Sequence, residues 1–285
     1  MKKRKKAWVI VGPTAGGKTG LGIRLAQKIG GEIINADSMQ VYRDLSVITA
    51  CPTEEEKNIV PHHLFQFVDA WTDFNVSKWG QAVREVFERV ERPVFIGGTG
   101  LYIDCLIKGL SEMPTVPEEI RQFVRQIPDD ELAHRLKDFP FPDPQRRRRA
   151  LEILLATGKP ISYFQQQPRK KFIEDVEFKV IFVNPPRPVL YQNCADRLKI
   201  MKQNGCVAEV EKLLSLNPTG TVLKAIGIPP IQQFLEGHLT ESEMDKQILL
   251  DTRHYAKRQV TWFKNQLKQY VMVENPSDTL IDYLI

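Results

Sequence analysis

The sequence predicts an α/β protein: a mostly parallel sheet flanked by helices, with a small all-helical insertion domain and a helical C-terminal part. Three observations predict it. Short apolar runs alternate with amphipathic stretches up to about residue 110, the pattern of a parallel sheet covered by helices. A glycine-rich loop, Gly12 to Thr19, joins the first apolar run to the first helical stretch. Beyond it, Pro114, Pro117, Pro128, Pro140, Pro142 and Pro144 cut the chain into short helical pieces before an apolar run returns at Lys179–Val183.

Taken in order, Ala7–Val11 reads as a buried strand, rich in β-branched residues. Leu21, Ile23, Leu25, Ala26 and Ile29 follow at helical spacing, and Gly30-Gly31 ends that helix. Glu32–Asn35, Leu64–Val68 and Pro93–Ile96 are the second, third and fourth strands, with a helix through Val83, Val86, Phe87 and Val90 before the last. The insertion shows helical spacing at Ile120, Phe123 and Val124 and again from Ala150 to Leu155. After the returning strand, helices are expected at Leu190–Lys202, Cys206–Leu216, Pro229–Leu235 and Thr240–Leu267. The segments are therefore 1–114 for the first part of the core, 115–178 for the insertion and 179–285 for the return and the C-terminal helices.

Composition sets bounds. The chain has 285 residues, 42% of them hydrophobic, enough for a sizeable core. No apolar stretch approaches the ~20 residues that span a bilayer, and the run after Lys2–Lys6 is too short for a signal peptide. Cys51, Cys105, Cys194 and Cys206 show no C-x-x-C spacing, so no zinc site or disulfide framework is indicated and a cytoplasmic protein is expected. The formal charge of +5 allows a polyanionic partner. Two basic runs stand out, Lys2–Lys6 and Arg146–Arg149.

The loop Gly12-Pro13-Thr14-Ala15-Gly16-Gly17-Lys18-Thr19 satisfies G-x-x-x-x-G-K-[ST] between a strand and a helix. Its glycines let the backbone close around an anion, its N–H groups and the helix N-terminus attract negative charge, and Lys18 adds a full positive one. Thr19 can offer a hydroxyl to Mg2+. This makes the core P-loop NTPase-like, as in nucleotide- and ATP-binding proteins, without saying which phosphate compound is bound, and places the loop at the carboxyl ends of the strands beside Ala36–Gln40 and Gly97–Tyr102. Asp37 faces that mouth and fits two roles, a proton acceptor or a cap for a short helix through Val41-Tyr42. The fourth strand ends in Gly97-Gly98-Thr99, with none of the acids that P-loop hydrolases and kinases place there. Arg197, next to Asp196 on the helix after the returning strand, can reach back over the loop as a second cation or form a surface ion pair. Four arginines in one turn at 146–149 suit either a solvated face or phosphate contacts. His62-His63 read as structural, and Tyr255, Trp262 and Phe263 as core.

Six segments in order resemble the bacterial tRNA dimethylallyltransferase (tRNA isopentenyltransferase) family: the loop at 12–19, Ala-Asp-Ser-Met-Gln-Val-Tyr-Arg at 36–43, Pro-His-His-Leu at 61–64, Gly-Gly-Thr-Gly-Leu-Tyr at 97–102, Asp-Pro-Gln-Arg-Arg-Arg-Arg-Ala-Leu-Glu at 143–152 and Tyr-Ala-Lys-Arg-Gln-Val-Thr-Trp-Phe at 255–263. The resemblance implies transfer of a dimethylallyl group from dimethylallyl diphosphate to N6 of the adenine beside the anticodon, releasing diphosphate. It implies that Gly12 to Thr19 hold the diphosphate, with Mg2+ on Thr19, and that Lys18, Thr19, Asp37 and Arg197 are catalytic. It places Asp37, Ser38, Met39, Gln40, Thr99, Arg121, Gln145, Arg146, Arg147, Arg148 and Arg149 on the side of the anticodon stem-loop, which makes 115–178 a tRNA-binding insertion. A monomer with no membrane contact is expected. The chain departs from the family pattern at Met39, where Arg is usual, at Cys51, where Lys is usual, at Asn193-Cys194 for Arg-Ile, and within Lys224–Pro230, where Ile228-Pro229-Pro230 breaks the pattern Ile-Gly-Tyr-Lys/Arg. The other readings are a P-loop small-molecule kinase, an adenylate dimethylallyltransferase acting on free nucleotide, and an RNA-binding protein with a vestigial loop.

Overall fold

The structure, a computed structural model, describes residues 4–135, 143–218, 220–275 and 281–284. Lys2 and Lys3 of the first basic run, and Pro140 and Pro142 of the proline series, lie outside the described residues. The chain forms two compact units. One runs to Ile107 and resumes at Phe172, and the other is Lys108–Lys171.

The first unit opens with β1 (Lys5–Val11), α1 (Lys18–Ile29), β2 (Glu32–Asn35), α2 (Glu54–Ile59), β3 (His62–His63), α3 (Val76–Arg89), β4 (Pro93–Gly97) and α4 (Gly100–Lys108). The second unit comprises β5 (Leu110–Ser111), α5 (Glu118–Arg125), α6 (Asp129–Arg135), α7 (Pro144–Thr157), α8 (Ile161–Gln165) and β6 (Arg169–Lys170). The first unit then resumes with β7 (Val176–Val183), α9 (Arg187–Gln203), α10 (Cys206–Ser215), a 3₁₀ turn at Gly220–Lys224, α11 (Ile228–Leu235), α12 (Glu241–Gln266), β8 (Val271–Val273) and α13 (Ile281–Leu284). No helix among the described residues is long and apolar enough to cross a membrane.

Six strands form one sheet in the order β3-β2-β4-β1-β7-β8, parallel throughout. Side chains alternate across it, as strand geometry requires. Val9, Val11, Ile34, Phe95 and Phe182 enter one apolar layer with Trp79 and Phe87 of α3, Ile103 of α4 and Phe263 of α12. Trp8, Ile10, Ile33, Val94 and Ile181 enter the other with Leu21, Leu25 and Ala26 of α1. Each such side chain taken wholly from water stabilises the fold by roughly 1.5–3 kcal/mol. A third apolar cluster joins Val41, Leu45 and Ile48 to Leu198 of α9, Val210 of α10, Ile231 of α11 and Ile248 of α12.

The third strand differs from the expectation of Leu64–Val68. It is His62–His63, paired with Ile33 and Ile34. Leu64 and Gln66 both take positive φ, 62° and 49°, and a left-handed backbone cannot continue a ladder. Val68 keeps only an isolated parallel bridge to Tyr42. Strand β8, at the sheet edge, was not foreseen; Val271 and Met272 are half-exposed, and three residues are too few to show a period. In the second unit, α5, α6 and α7 bury Val124, Ile127, Leu132 and Leu151, and β5 pairs antiparallel with β6.

Candidate active site

The P-loop begins where β1 ends. Gly12 has φ 152°, and a Cβ there would lie 2.2 Å from the Val183 carbonyl oxygen, so the close approach of β7 admits only glycine. Gly17 takes φ 87° and caps α1, while Ala15 stands at φ 57° in the left-handed region. Lys18 Nζ donates to the Pro13 carbonyl at 2.6 Å, and Asn193 Nδ2 of α9 donates to the Ala15 carbonyl at 3.0 Å. Asn193 is one of the departures from the family pattern, and it holds the strained loop residue in place. Thr19 is the second residue of α1.

Arg197 does reach the loop. Its Nη1 donates to Thr14 Oγ1 at 2.7 Å and its Nη2 to the Thr49 carbonyl at 2.9 Å. Asp196 turns the other way, to Gln192 and Lys199, so the neighbouring pair is no ion pair. Burial lowers the Arg197 pKa, against the nearby negative charge of Asp37. Burial also brings Lys18 down to about 8, with Asp37 opposing and Arg197 reinforcing the shift.

Asp37 is held by its neighbour. The buried Asn35 side chain accepts from the Asp37 N–H at 2.8 Å and donates to its carbonyl at 3.0 Å. The Asn35 carbonyl in turn accepts from Trp79 Nε1 at 2.9 Å. Asp37 Oδ1 accepts from the Met39 N–H at 2.9 Å. That bond is an Asx turn; no helix forms through Val41-Tyr42, so the helix-cap role is corrected to a turn, and the carboxylate still lines a cavity.

Three loops meet as the parallel topology requires. The Ser38 N–H donates to Thr99 Oγ1 at 2.9 Å. Gln259 of α12, nearly wholly buried, accepts from the Thr14 N–H through Oε1 at 2.8 Å and donates to the Gly98 carbonyl through Nε2 at 3.0 Å. One amide thus ties the phosphate loop to the end of β4. Gly97, Gly98 and Gly100 are required by space: a Cβ on each would strike the Ala36 backbone, the Gln259 amide and the Trp262 ring, at 2.0, 2.2 and 2.5 Å.

Two cavities flank Arg197. The smaller, about 310 Å³, is lined by Thr14, Asp37, Met39, Arg197, Tyr255 and Arg258, with Ile48, Leu198, Ile226 and Ile248 as its apolar wall. The larger, about 730 Å³, is lined by Ala15, Gly17, Cys51, Lys57, Asn193 and Arg197. Tyr255 therefore is a cavity residue and not core as its sequence position suggests. Burial and the Asp37 charge raise its pKa, keeping the phenol protonated, with Thr99 and Gln259 as hydrogen-bond partners. Trp262 and Phe263 do pack against the core. Burial pushes the Cys51 thiol up to about 11, so it stands neutral in the cavity wall. At the other departure, Gly227 takes φ 98° and Ile228 buries into the third apolar cluster; Pro229 falls in the first turn of α11, where proline is tolerated.

Gln40 and Thr99 are turned inward. Gln40 Nε2 donates to the Thr49 and Ala50 carbonyls at 3.1 and 2.8 Å, and Thr99 Oγ1 bonds Ser38. His63 Nε2 meets Glu32 at 2.6 Å and His62 Nδ1 meets the Val60 carbonyl at 2.8 Å, a structural pair as expected. In the second unit, Asp143 caps α7 through the Gln145 N–H. Arg148 pairs with Asp129 at 2.5 Å and donates to the Ile127 carbonyl, and Arg149 pairs with Glu152 at 3.1 Å. Arg146 is 73% exposed, 3.8 Å from Asp143. Asn35, Gln259 and Tyr255 were not singled out from sequence as site residues. The Gly-Gly-Thr-Gly run signals a close approach at the end of β4 but does not say which residue makes it.

A family model described as IPP transferase matches residues 40–266, and one described as isopentenyl transferase matches 5–61. A tRNA dimethylallyltransferase of Hyphomonas neptunium is 42% identical over 291 aligned residues, covering 95% of this chain and 91% of that protein. One from Rickettsia bellii is 40% identical, covering 95% and 92%. Among solved structures, the tRNA isopentenylpyrophosphate transferase of Bacillus halodurans superposes with a TM-score of 0.72 at 27% identity, over 99% of this chain and 94% of that one. A eukaryotic dimethylallyltransferase acting on tRNA gives 0.72 at 28% identity, over 91% and 70%.

Proposed function

The chain belongs to the tRNA dimethylallyltransferase family, and from that premise we propose how its residues prenylate tRNA. The substrate pair is dimethylallyl diphosphate and the adenine beside the anticodon. The observation that carries the reading is Arg197: it bonds the phosphate loop at Thr14 and lines the same cavity as Asp37. A leaving-group cation and a proton acceptor thus border one space with an apolar wall of a size for a five-carbon group.

The allylic C–O bond breaks with its electron pair passing to the diphosphate. Lys18, the loop N–H groups and Arg197 stabilise that developing negative charge. The adenine N6 lone pair bonds the allylic carbon, and the N6 proton passes to Asp37. Tyr255 and Arg258 border the cavity beside Asp37, where a base drawn out of the anticodon stack would enter. No group of three His, Cys, Asp or Glu side chains able to hold a metal ion exists among the described residues. The Thr19 hydroxyl is the protein donor that would hold a magnesium ion, which would supply further neutralisation of the diphosphate charge. The segment Lys108–Lys171, with exposed Arg146 on α7, is proposed to contact the RNA backbone.

Labelled dimethylallyl diphosphate with magnesium, offered an anticodon stem-loop or AMP, tests this. Label should enter the stem-loop alone. Label in AMP would support the free-nucleotide reading, and ATP consumption without prenyl transfer the kinase reading. Relatives named for tRNA favour neither alternative.

A further inference from the structure

We infer that Glu209, on α10, is a positioning residue for Arg197, acting through one turn of backbone; this rests on the role given to Arg197 above. Both carboxylate oxygens of Glu209 are engaged. Oε1 accepts from the Ser46 N–H at 2.7 Å, the Ser46 hydroxyl at 2.8 Å and the Val47 N–H at 2.8 Å, and Oε2 from the Ile48 N–H at 2.8 Å. These N–H groups open a single turn, closed by Ala50 N–H to Val47 carbonyl at 3.0 Å and Cys51 N–H to Ser46 carbonyl at 2.9 Å.

The carbonyls at the far end of that turn hold the site. The Thr49 carbonyl accepts from Arg197 Nη2 and Gln40 Nε2, and the Ala50 carbonyl from Gln40 as well. An anion sits on the bare N–H groups and a cation on the bare carbonyls, so both ends of the turn dipole are matched. The turn also separates the cavities: Ile48 and Thr49 line the smaller, Ser46, Val47, Ala50 and Cys51 the larger. Removing the carboxylate leaves three backbone N–H groups without their acceptor, and the turn must shift to find water. The Thr49 carbonyl shifts with it, and the guanidinium loses the bond that aims it at Thr14. Nothing else in the turn fixes that direction with charge, and Glu209 lines neither cavity.

Steady-state prenyl transfer to a stem-loop, measured in a double-mutant cycle of Glu209→Gln and Arg197→Ala, tests the inference. E209Q preserves shape and puts an amide NH2 against donors. It should lower kcat about tenfold, a misplacement effect, with KM for the stem-loop within about twofold. In the R197A background the same change should cost less than about twofold, because there is no guanidinium left to aim. Equal fold-losses in both backgrounds, or an unchanged kcat in E209Q alone, overturn the inference while leaving the Arg197 role standing. An unchanged kcat in R197A overturns the Arg197 role and this inference with it. Should E209Q fail to fold, Ser46→Ala removes only the hydroxyl bond at 2.8 Å and keeps the N–H clamp. It should give a smaller loss of kcat that also vanishes in the R197A background, and an equal loss in both overturns the inference.

Discussion

Charge is used in opposite ways in the cavity of the first unit and along α7 of the second. Few charges of the first unit carry the catalytic reading, each bonded to a loop: Lys18 on Pro13, Asp37 on Met39, Arg197 on Thr14 and Thr49. Helix α7 has four consecutive arginines, of which Arg148 and Arg149 are committed to acids of their own unit and Arg146 is open to solvent. The contrast teaches that charge density along a sequence is a poor guide to where a charge acts. A buried, aimed charge contributes to a transition state. An exposed one contributes to affinity for a polyanion, in a salt-dependent way.

The sharpest way to break that contrast is Asp37→Ala. Loss of a positioned proton acceptor should reduce turnover by roughly 10²–10⁴, while stem-loop affinity changes little. Single-turnover rates beside a filter-binding titration check both. A collapse of binding with turnover per bound molecule retained would make Asp37 a contact held by its Asx turn and would remove the base from the mechanism.

What the sequence made legible follows the same line. Segments whose meaning is local were readable: the strand, loop and helix around Gly12–Thr19, the strand at Glu32–Asn35, the α1 stop at Gly30. Residues whose meaning comes from a distant partner were not. Gln259 is an ordinary amide on a long helix until the fold brings it to Thr14, 245 residues away along the chain. Glu209 is an ordinary surface-type residue of an amphipathic helix until it meets Ser46. The misplaced third strand has a different cause. Leu64–Val68 is apolar enough for a strand, but the left-handed backbone at Leu64 and Gln66 is not encoded by any glycine or asparagine there. Arg197 was legible only as one of two options, because an Asp–Arg dipeptide on a helix specifies no direction.

Lys18 offers a prediction of intermediate size. Its pKa is lowered to about 8 by burial. A bound diphosphate places negative charge beside the ammonium and raises that pKa, so the complex holds more proton than the free protein. Affinity is therefore full below pH 8 and falls as pH rises through and past 8, by up to about tenfold per unit until the raised pKa is reached. Calorimetric titration of dimethylallyl diphosphate at pH 8 in two buffers of different ionisation enthalpy should show proton uptake. Proton release, or none, would mean that Lys18 remains on the Pro13 carbonyl and never turns to the ligand.

The smallest effects lie in α7, and they separate its arginines from one another. Arg146→Ala removes an exposed cation from a helix end. It should weaken stem-loop binding a fewfold and lower the slope of log affinity against log salt by about 1, leaving kcat alone. Arg148→Ala removes a side chain only 27% exposed, tied to Asp129 and to the Ile127 carbonyl between α5 and α6. Its expected signature is loss of about 1 kcal/mol of stability in that unit, the partly exposed ion pair counting for little and the hydrogen bond for most. The salt slope of binding should not move. If instead Arg148→Ala changes the slope as much as Arg146→Ala does, the bond to Asp129 gives way to phosphate in the complex. The run would then act as one cationic surface, and the division of labour between aimed and exposed charge would have to be redrawn inside a single helix.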